Sequence, residues 1–395
     1  MPAVIYIFTL CAFAIGFTEF ISIGLASTLA ENLHASAAQV GLAVTCYAAG
    51  VVIGAPVLTA LASGWSRKRL LLVAMLAFTA GNVIAALATH LPLLLAARLL
   101  SGLAHGVFFA VASSVATRLV RPERAGAALS LVFGGVTVAM ALGVPAGTWL
   151  GSVLPWQWIF ALIAGCGLVG TLGVALWMPA GAGDLASSGP GWRQLPVLFD
   201  RRLLAGASLP LLSYTGSFAL YTFVTPLLLH VTHTDIRGAS AMLLAYGIGA
   251  AIGNVAGGRM TDRMGMDRAS LWLLAGIAAV LALIGLGQTH FFVMIVLVMA
   301  LGLTTYGAIP PLQSRILGLA RRHRPQALDV ASGLNIAAFN AGVVAGSMLG
   351  AASLERWGLP SLPWVGLIVA LLAIVALGWQ RRLRSMRFAL SGEAG

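Results

Sequence analysis

Long apolar runs broken by short polar and basic loops dominate the chain, and they predict helices near 3–28, 39–62, 70–89, 92–118, 127–153, 157–178, 202–229, 239–260, 270–288, 291–319, 331–353 and 364–380. A helix needs about 20 mostly apolar residues to cross a bilayer, and each run is close to that length. The runs are continuous, whereas a transmembrane barrel is built from alternating segments of about ten residues. The expected fold class is all-α integral membrane, with twelve transmembrane helices.

The polar interruptions organise these helices. The longest, Gly181 to Arg202 (GAGDLASSGPGWRQLPVLFDRR), is rich in Gly, Ser and Pro and separates six helices from six. This divides the chain into an N-terminal six-helix bundle (1–178), a linker (179–201), a C-terminal six-helix bundle (202–380) and a basic tail (381–395). The loops on the side of the chain ends hold 20 of the 23 Lys and Arg residues. The opposite loops hold Arg237 and Arg356, and Arg98 falls inside a helix. Positive charge concentrates on the cytoplasmic side of membrane proteins, so both termini, the linker and the tail are expected in the cytoplasm.

An internal repeat supports the division. Tyr47, Gly50, Ile53, Gly54 and Arg69 recur as Tyr246, Gly249, Ile252, Gly253 and Arg268, each 199 residues later. The same shift carries Gly143, Gly147 and Gly151 onto Gly342, Gly346 and Gly350. One offset shared by two motifs predicts duplicated units in parallel orientation, related by an axis along the membrane normal.

Composition narrows the function. With 59% apolar and 9% charged residues among 395, the chain exceeds what one soluble core can hide, which excludes a soluble enzyme. The net charge of +12 would suggest nucleic acid in a soluble protein, but topology explains it here, and no nucleic-acid partner is expected. Cys11, Cys46 and Cys166 lie in apolar segments without paired spacing, so neither disulfides nor a metal site is predicted. Lys68 is the only lysine and no G-x-x-x-x-G-K loop is present, so energy is expected from an ion gradient or the substrate's own gradient, with no cofactor.

Ionisable groups at membrane depth are costly and mark function by default. Glu19 in helix 1 and Arg98 and His105 in helix 4 stand out. At a rise of about 1.5 Å per residue, Arg98 and His105 lie roughly 9 and 20 Å below the outer end of helix 4, and Glu19 about 15 Å below that of helix 1. Arg98, Gly102, His105 and Phe109 share one helical face, so all three ionisable groups can meet if helix 1 packs there. Two readings stand: Glu19 as a proton carrier whose protonation follows conformation, or a static Glu19–Arg98 pair that positions two helices. His105 is either a proton relay or a structural hydrogen-bonding group.

Gly143, Gly147 and Gly151 give helix 5 a smooth face, and Pro145 is expected to disturb the helix there, which suits either close packing or sliding during gating. Tyr214, Phe218, Tyr221 and Thr225 form a stripe of helix 7, Tyr306, Pro310 and Gln313 one of helix 10, and Asn335 with Phe339 one of helix 11, near Asn340. These are candidate contacts for a small amphipathic neutral or cationic molecule, or else core packing.

Several segments carry a family resemblance. GGRMTDRMGMDR (Gly257 to Arg268) is close to a loop signature of glycine, aspartate, arginine and glycine, whereas its first-half counterpart LASGWSRKR has Ser63 in place of the acid. RLLSGLAHGVFFA from Arg98, GGVTVAMALGVPAGTWLG from Gly134, GFTEF, YTFVTP, PPLQSR and GLNIAAFNAG complete the set. On these residues the chain resembles the major facilitator superfamily, in its twelve-helix drug/proton antiporter branch with bacterial chloramphenicol-resistance and sugar- and nucleoside-efflux members. The resemblance implies two pseudo-symmetric six-helix bundles and alternating access. It implies export of a drug, sugar or nucleoside-like molecule in exchange for protons, by a monomer in the inner membrane rather than an enzyme. It also implies a gate latch at Asp262 and Arg263. A passive facilitator or a proton-coupled uptake symporter of the same fold is the alternative, and a non-transporting membrane sensor a more distant one.

Overall fold

The computed structural model describes residues 1–35, 37–182 and 196–392. Among these, twelve helical stretches are long and apolar enough to cross a membrane. They are α1 (Ala3–Ser22), α2 (Leu42–Leu61), α3 (Arg67–Ala86), α4 (Leu91–Arg118), α5 (Pro122–Gly151), α6 (Gln157–Trp177), α7 (Arg201–His230), α8 (Arg237–Met264), α9 (Met266–Gly287), α10 (Phe291–His323), α11 (Pro325–Trp357) and α12 (Leu359–Arg382). An even number of spans puts both chain ends on one face, called the terminal side below.

Local chemistry sets where the helices begin and turn. A helix leaves its first N–H groups unpaired, and a polar side chain just before it supplies an acceptor. Ser66 Oγ accepts from Arg69 N at 3.4 Å before α3, and Asp200 Oδ1 from Arg202 N at 2.9 Å before α7. Burial opposes ionisation of Asp200, but that backbone N–H and the Arg324 side chain at 3.1 Å outweigh it and hold the carboxyl below its ordinary range. One residue, Gly265 at φ +82°, turns the chain from α8 into α9, a conformation that favours glycine.

The two halves differ in their helix breaks. In α2 a π-turn at Gly54–Leu58 contains Pro56, and in α5 a π-turn at Ala139–Gly143 precedes Pro145. Proline has no N–H to give the helix ladder, and a wider turn absorbs the missing bond. The 199-residue shift replaces these prolines by Val255 and Val344, and the corresponding helices Ile236–Met264 and Leu328–Trp357 run without a break.

Two sequence expectations change. Asp262 and Arg263 were expected in a loop after helix 8, but that helix continues to Met264, so both stand on its last turn. The basic stretch after 380 was expected as a tail, but the last helix runs over Leu362–Gly392, because nothing in that stretch breaks a helix. Most of the expected linker (183–195) and the last residues of the tail (393–395) lie outside the described residues.

The glycine-lined faces pack differently in the two halves. A Cβ on Gly147 would lie 2.6 Å from Phe17 Cε2, and one on Gly143 would lie 3.3 Å from Phe17 Cγ, so α5 packs on side chains of α1. A Cβ on Gly342 would lie 2.6 Å from the Leu211 carbonyl oxygen, and one on Gly346 would lie 2.7 Å from that of Thr215. There α11 rides directly on the backbone of α7, the close approach that small residues allow in membranes.

Candidate functional site

The terminal side of the molecule is closed by bonds between the halves. Asp262, at the end of α8, accepts from the backbone N–H of Gly126 at 2.7 Å and of Ala127 at 2.9 Å. Its carboxylate thus caps the start of α5, where unpaired N–H groups and the helix dipole favour negative charge. Arg263 beside it is exposed. Deeper in the same two helices, Asn254 Nδ2 donates to the Ser130 carbonyl at 2.6 Å, and Ser130 Oγ donates to the Asn254 carbonyl at 2.8 Å.

A second tie uses Asp329, in the first turn of the α11 helix and 2% exposed. Its carboxylate lies 2.5 Å from Arg67 Nε and 3.1 Å from Arg118 Nη2, and it also accepts from Ser114 Oγ. All three partners belong to the first half. A buried carboxylate needs such compensation, because leaving water without a partner costs several kcal/mol or more. Arg321 adds a bond to Thr117 Oγ1 at 2.9 Å.

The sequence-predicted ionisable groups meet within the first half. Arg98, 1% exposed, donates from Nη1 to the Thr18 carbonyl at 2.8 Å and to Thr18 Oγ1 at 3.0 Å, and from Nη2 to the Glu19 carbonyl at 3.4 Å. Thr18 in turn donates to Asn82 Oδ1 at 2.6 Å. Arg98 is therefore committed to the main chain of α1. Among the described residues no ion pair joins it to the Glu19 carboxylate.

The Glu19 carboxylate instead approaches His105, with Oε2 at 4.0 Å from Nδ1 and 21% of its side-chain surface exposed. His105 Nδ1 is also 2.8 Å from the Tyr47 hydroxyl on α2. The same Tyr47 ring carries the Arg98 guanidinium 4.2 Å from its centre, a cation–π contact. Tyr47 therefore joins Arg98 to His105, a role that its place in the repeat alone does not disclose. Glycines make the approach possible, since a Cβ on Gly106 would lie 2.8 Å from the Val51 carbonyl oxygen and one on Gly50 2.8 Å from the Leu103 nitrogen. Phe109 continues the face, 4.9 Å from His105 and stacked at 5.1 Å on Phe133.

The second half presents an aromatic cluster. Tyr214 packs on Phe218 at 5.4 Å, on Phe339 at 4.7 Å and on Tyr306 at 6.3 Å, while Phe218 meets Tyr221 at 5.4 Å. Tyr246, the repeat mate of Tyr47, stacks on Tyr221 at 4.0 Å. Gln313 and Asn335 are fully buried and partner each other: Asn335 Nδ2 donates to Gln313 Oε1 at 2.6 Å, and Gln313 Nε2 to Ser332 Oγ at 2.7 Å. Asn340 is partly buried and donates to the Ile336 carbonyl at 3.1 Å. Among the described residues no group of three or more His, Cys, Asp or Glu side chains could hold a metal ion.

Twelve spans around a partly exposed acid–imidazole–phenol cluster, flanked by the Phe109 ring, fit a membrane transporter rather than an enzyme. Comparison with known proteins agrees. The family model of the Major Facilitator Superfamily matches residues 8–227 and 206–393, and the chain belongs to that family. It is 37% identical over 370 residues to the MFS-type transporter YtbD of Bacillus subtilis, covering 94% of this chain and 93% of that protein. It is 32% identical over 385 residues to the chloramphenicol resistance protein of Streptomyces lividans, covering 95% and 96%. The fold is similar to the crystal structure of the human organic anion transporter MFSD10, with a TM-score of 0.77 at 16% identity, covering 95% of this chain and 100% of that one.

Proposed function

We propose that this transporter exports a small organic molecule from the cytoplasm in exchange for protons, working as a monomer in the inner membrane with Glu19 as the proton carrier. The observation that carries this reading is the position of the Glu19 carboxylate. It lies at membrane depth, partly exposed, 4.0 Å from His105 Nδ1, while Arg98 Nη1 and Nη2 donate to the α1 main chain. A carboxylate held in a fixed pair with Arg98 would have no freedom to trade a proton. Coupling requires that proton and substrate each discriminate between the two cavity orientations.

The terminal side is the cytoplasmic side in this reading, supported by the 20 basic residues on that side of the chain. The bonds from Asp262 and Asp329 then close the cytoplasmic gate, and Gly143, Gly147 and Gly151 with Pro145 lie where α5 shifts on α1 as it opens. The substrate sits between Glu19 and the rings of Tyr214, Phe218, Tyr221 and Phe339, near Asn340, with the Gln313–Asn335 pair shaping the wall behind. Aromatic faces with few polar groups suit a drug, sugar or nucleoside-like molecule that is neutral or cationic. The similarity to the Streptomyces chloramphenicol resistance protein supports export and makes phenicols the first compounds to try.

Everted membrane vesicles with an acid interior provide the test, using labelled phenicols, sugars, nucleosides and cationic dyes. Accumulation of at least one class above its external concentration, abolished by a protonophore, is the expected result. Equilibration that ignores the proton gradient would replace exchange by passive facilitation.

A further inference from the structure

Away from the central site, an apolar groove of about 350 Å³ opens between α2, α3 and α4. Leu61 and Trp65 form one wall, Val73 and Ala77 another, and Leu103 and Val107 of α4 the floor. Leu58, Leu61, Trp65 and Val73 are each more than a third exposed, so the groove faces outward from the bundle rather than into it. It follows α3 for roughly 10 Å, at about 1.5 Å per residue, and ends at the terminal side.

The end of the groove is basic. The Arg69 guanidinium lies 4.4 Å from the centre of the Trp65 ring, on the wall itself. Its two neighbours are engaged elsewhere, Arg67 with Asp329 and Lys68 with the Ala175 carbonyl at 2.7 Å. A tryptophan topped by an arginine is the arrangement found where a helix passes from hydrocarbon to headgroups. An apolar slot in the hydrocarbon region ending at a cation at headgroup level matches one molecule in shape and charge: a lipid with an apolar chain and an anionic head.

We propose that this groove is a binding site for an anionic phospholipid of the leaflet on the terminal side, one acyl chain lying against Leu61, Val73 and Val107 and the phosphate on Arg69. The residue equivalent to Val73 in the repeat is Trp272, a larger side chain that is 67% exposed on the outer surface of the second half. Tryptophan at position 73 therefore adds bulk to the groove wall with a residue the fold already carries at the equivalent place.

Native mass spectrometry of the full-length protein, with phosphatidylglycerol or phosphatidylcholine of identical acyl chains added, tests the site. One phosphatidylglycerol is expected to be retained about fivefold more strongly than phosphatidylcholine, the preference that one interfacial cation supplies. Arg69→Gln should abolish the preference, and Val73→Trp should abolish retention of either lipid. Unfolding temperatures in lipid-free detergent show that both variants remain folded. Equal retention of the two lipids by the native protein would overturn the anionic site. Phosphatidylglycerol retention that survives Val73→Trp and disappears only in Arg69→Gln would reduce it to surface charge attraction and overturn the groove.

Discussion

Arg98 and Glu19 meet through the main chain. The guanidinium donates to the Glu19 carbonyl at 3.4 Å, while the Glu19 carboxylate turns toward His105. This separates two jobs that a direct ion pair would merge. Arg98 holds α1 against α4, and the acid remains available.

Removing Arg98 should therefore act first on stability. Arg98→Ala leaves the Thr18 carbonyl at membrane depth without its charged donor, which is expected to cost about 2–3 kcal/mol. Thermal unfolding in detergent, followed by tryptophan fluorescence, should show a clear drop that Arg98→Lys partly restores. An unchanged unfolding temperature in Arg98→Ala would contradict the positioning role.

Tyr47 should matter through its hydroxyl. Tyr47→Phe keeps the ring under Arg98 and removes the bond to His105, so stability should change by no more than about 1 kcal/mol. The pH profile of transport should shift, because His105 loses the partner that orients it. A profile identical to the native one would remove Tyr47 from the transport site.

Asp262 and Asp329 hold the terminal side closed by different chemistry, a helix cap and a buried charge cluster. Spin labels at Arg124→Cys on α5 and Arg259→Cys on α8, in a cysteine-free background, report the separation there. Asp262→Ala should shift the balance toward a longer distance by about 1–3 kcal/mol. Asp329→Ala should do so by about 3–5 kcal/mol, because it leaves the buried Arg67 and the partly buried Arg118 without their carboxylate. A single short distance in both variants would show that these acids do not close the gate.

The fold was legible in the chain because membrane helices announce themselves by length and hydropathy, and because the 199-residue shift exposed the repeat. Glu19, Arg98 and His105 were legible because charge at depth is expensive. Asp329 was not. The apolar pattern begins helix 11 at 331, which leaves Asp329 in a basic loop where one acid attracts no notice, whereas the helix starts at Leu328 and buries it. Its partners Arg67 and Arg118 were hidden in the same way, counted as topological charges. Gln313 and Asn335 show the opposite difficulty: amides at depth do need partners, and here Asn335 Nδ2 bonds Gln313 Oε1, while among the described residues Asn335 Oδ1 has no hydrogen-bond partner.

The two glycine faces should respond unequally to a methyl group. At Gly147 the new Cβ meets the far end of Phe17, which can move, so Gly147→Ala should cost about 1 kcal/mol and retain transport. At Gly346 it meets the backbone of Thr215 and Ala219, and Gly346→Ala should cost about 2–3 kcal/mol. Gly147→Leu exceeds what Phe17 and Ile21 can yield and should abolish transport while the protein still inserts. Comparable unfolding temperatures for the two alanine variants would contradict the difference between the faces.

Proton coupling through Glu19 is tested most directly by substrate-driven proton movement in proteoliposomes containing a pH-sensitive dye, comparing the native protein with Glu19→Gln. Adding substrate should release protons from the native protein at a measurable ratio to substrate moved, and the variant should release none. Substrate flux that persists in Glu19→Gln together with unchanged proton release would show that the proton travels by another route, and Glu19 would lose its place as the carrier.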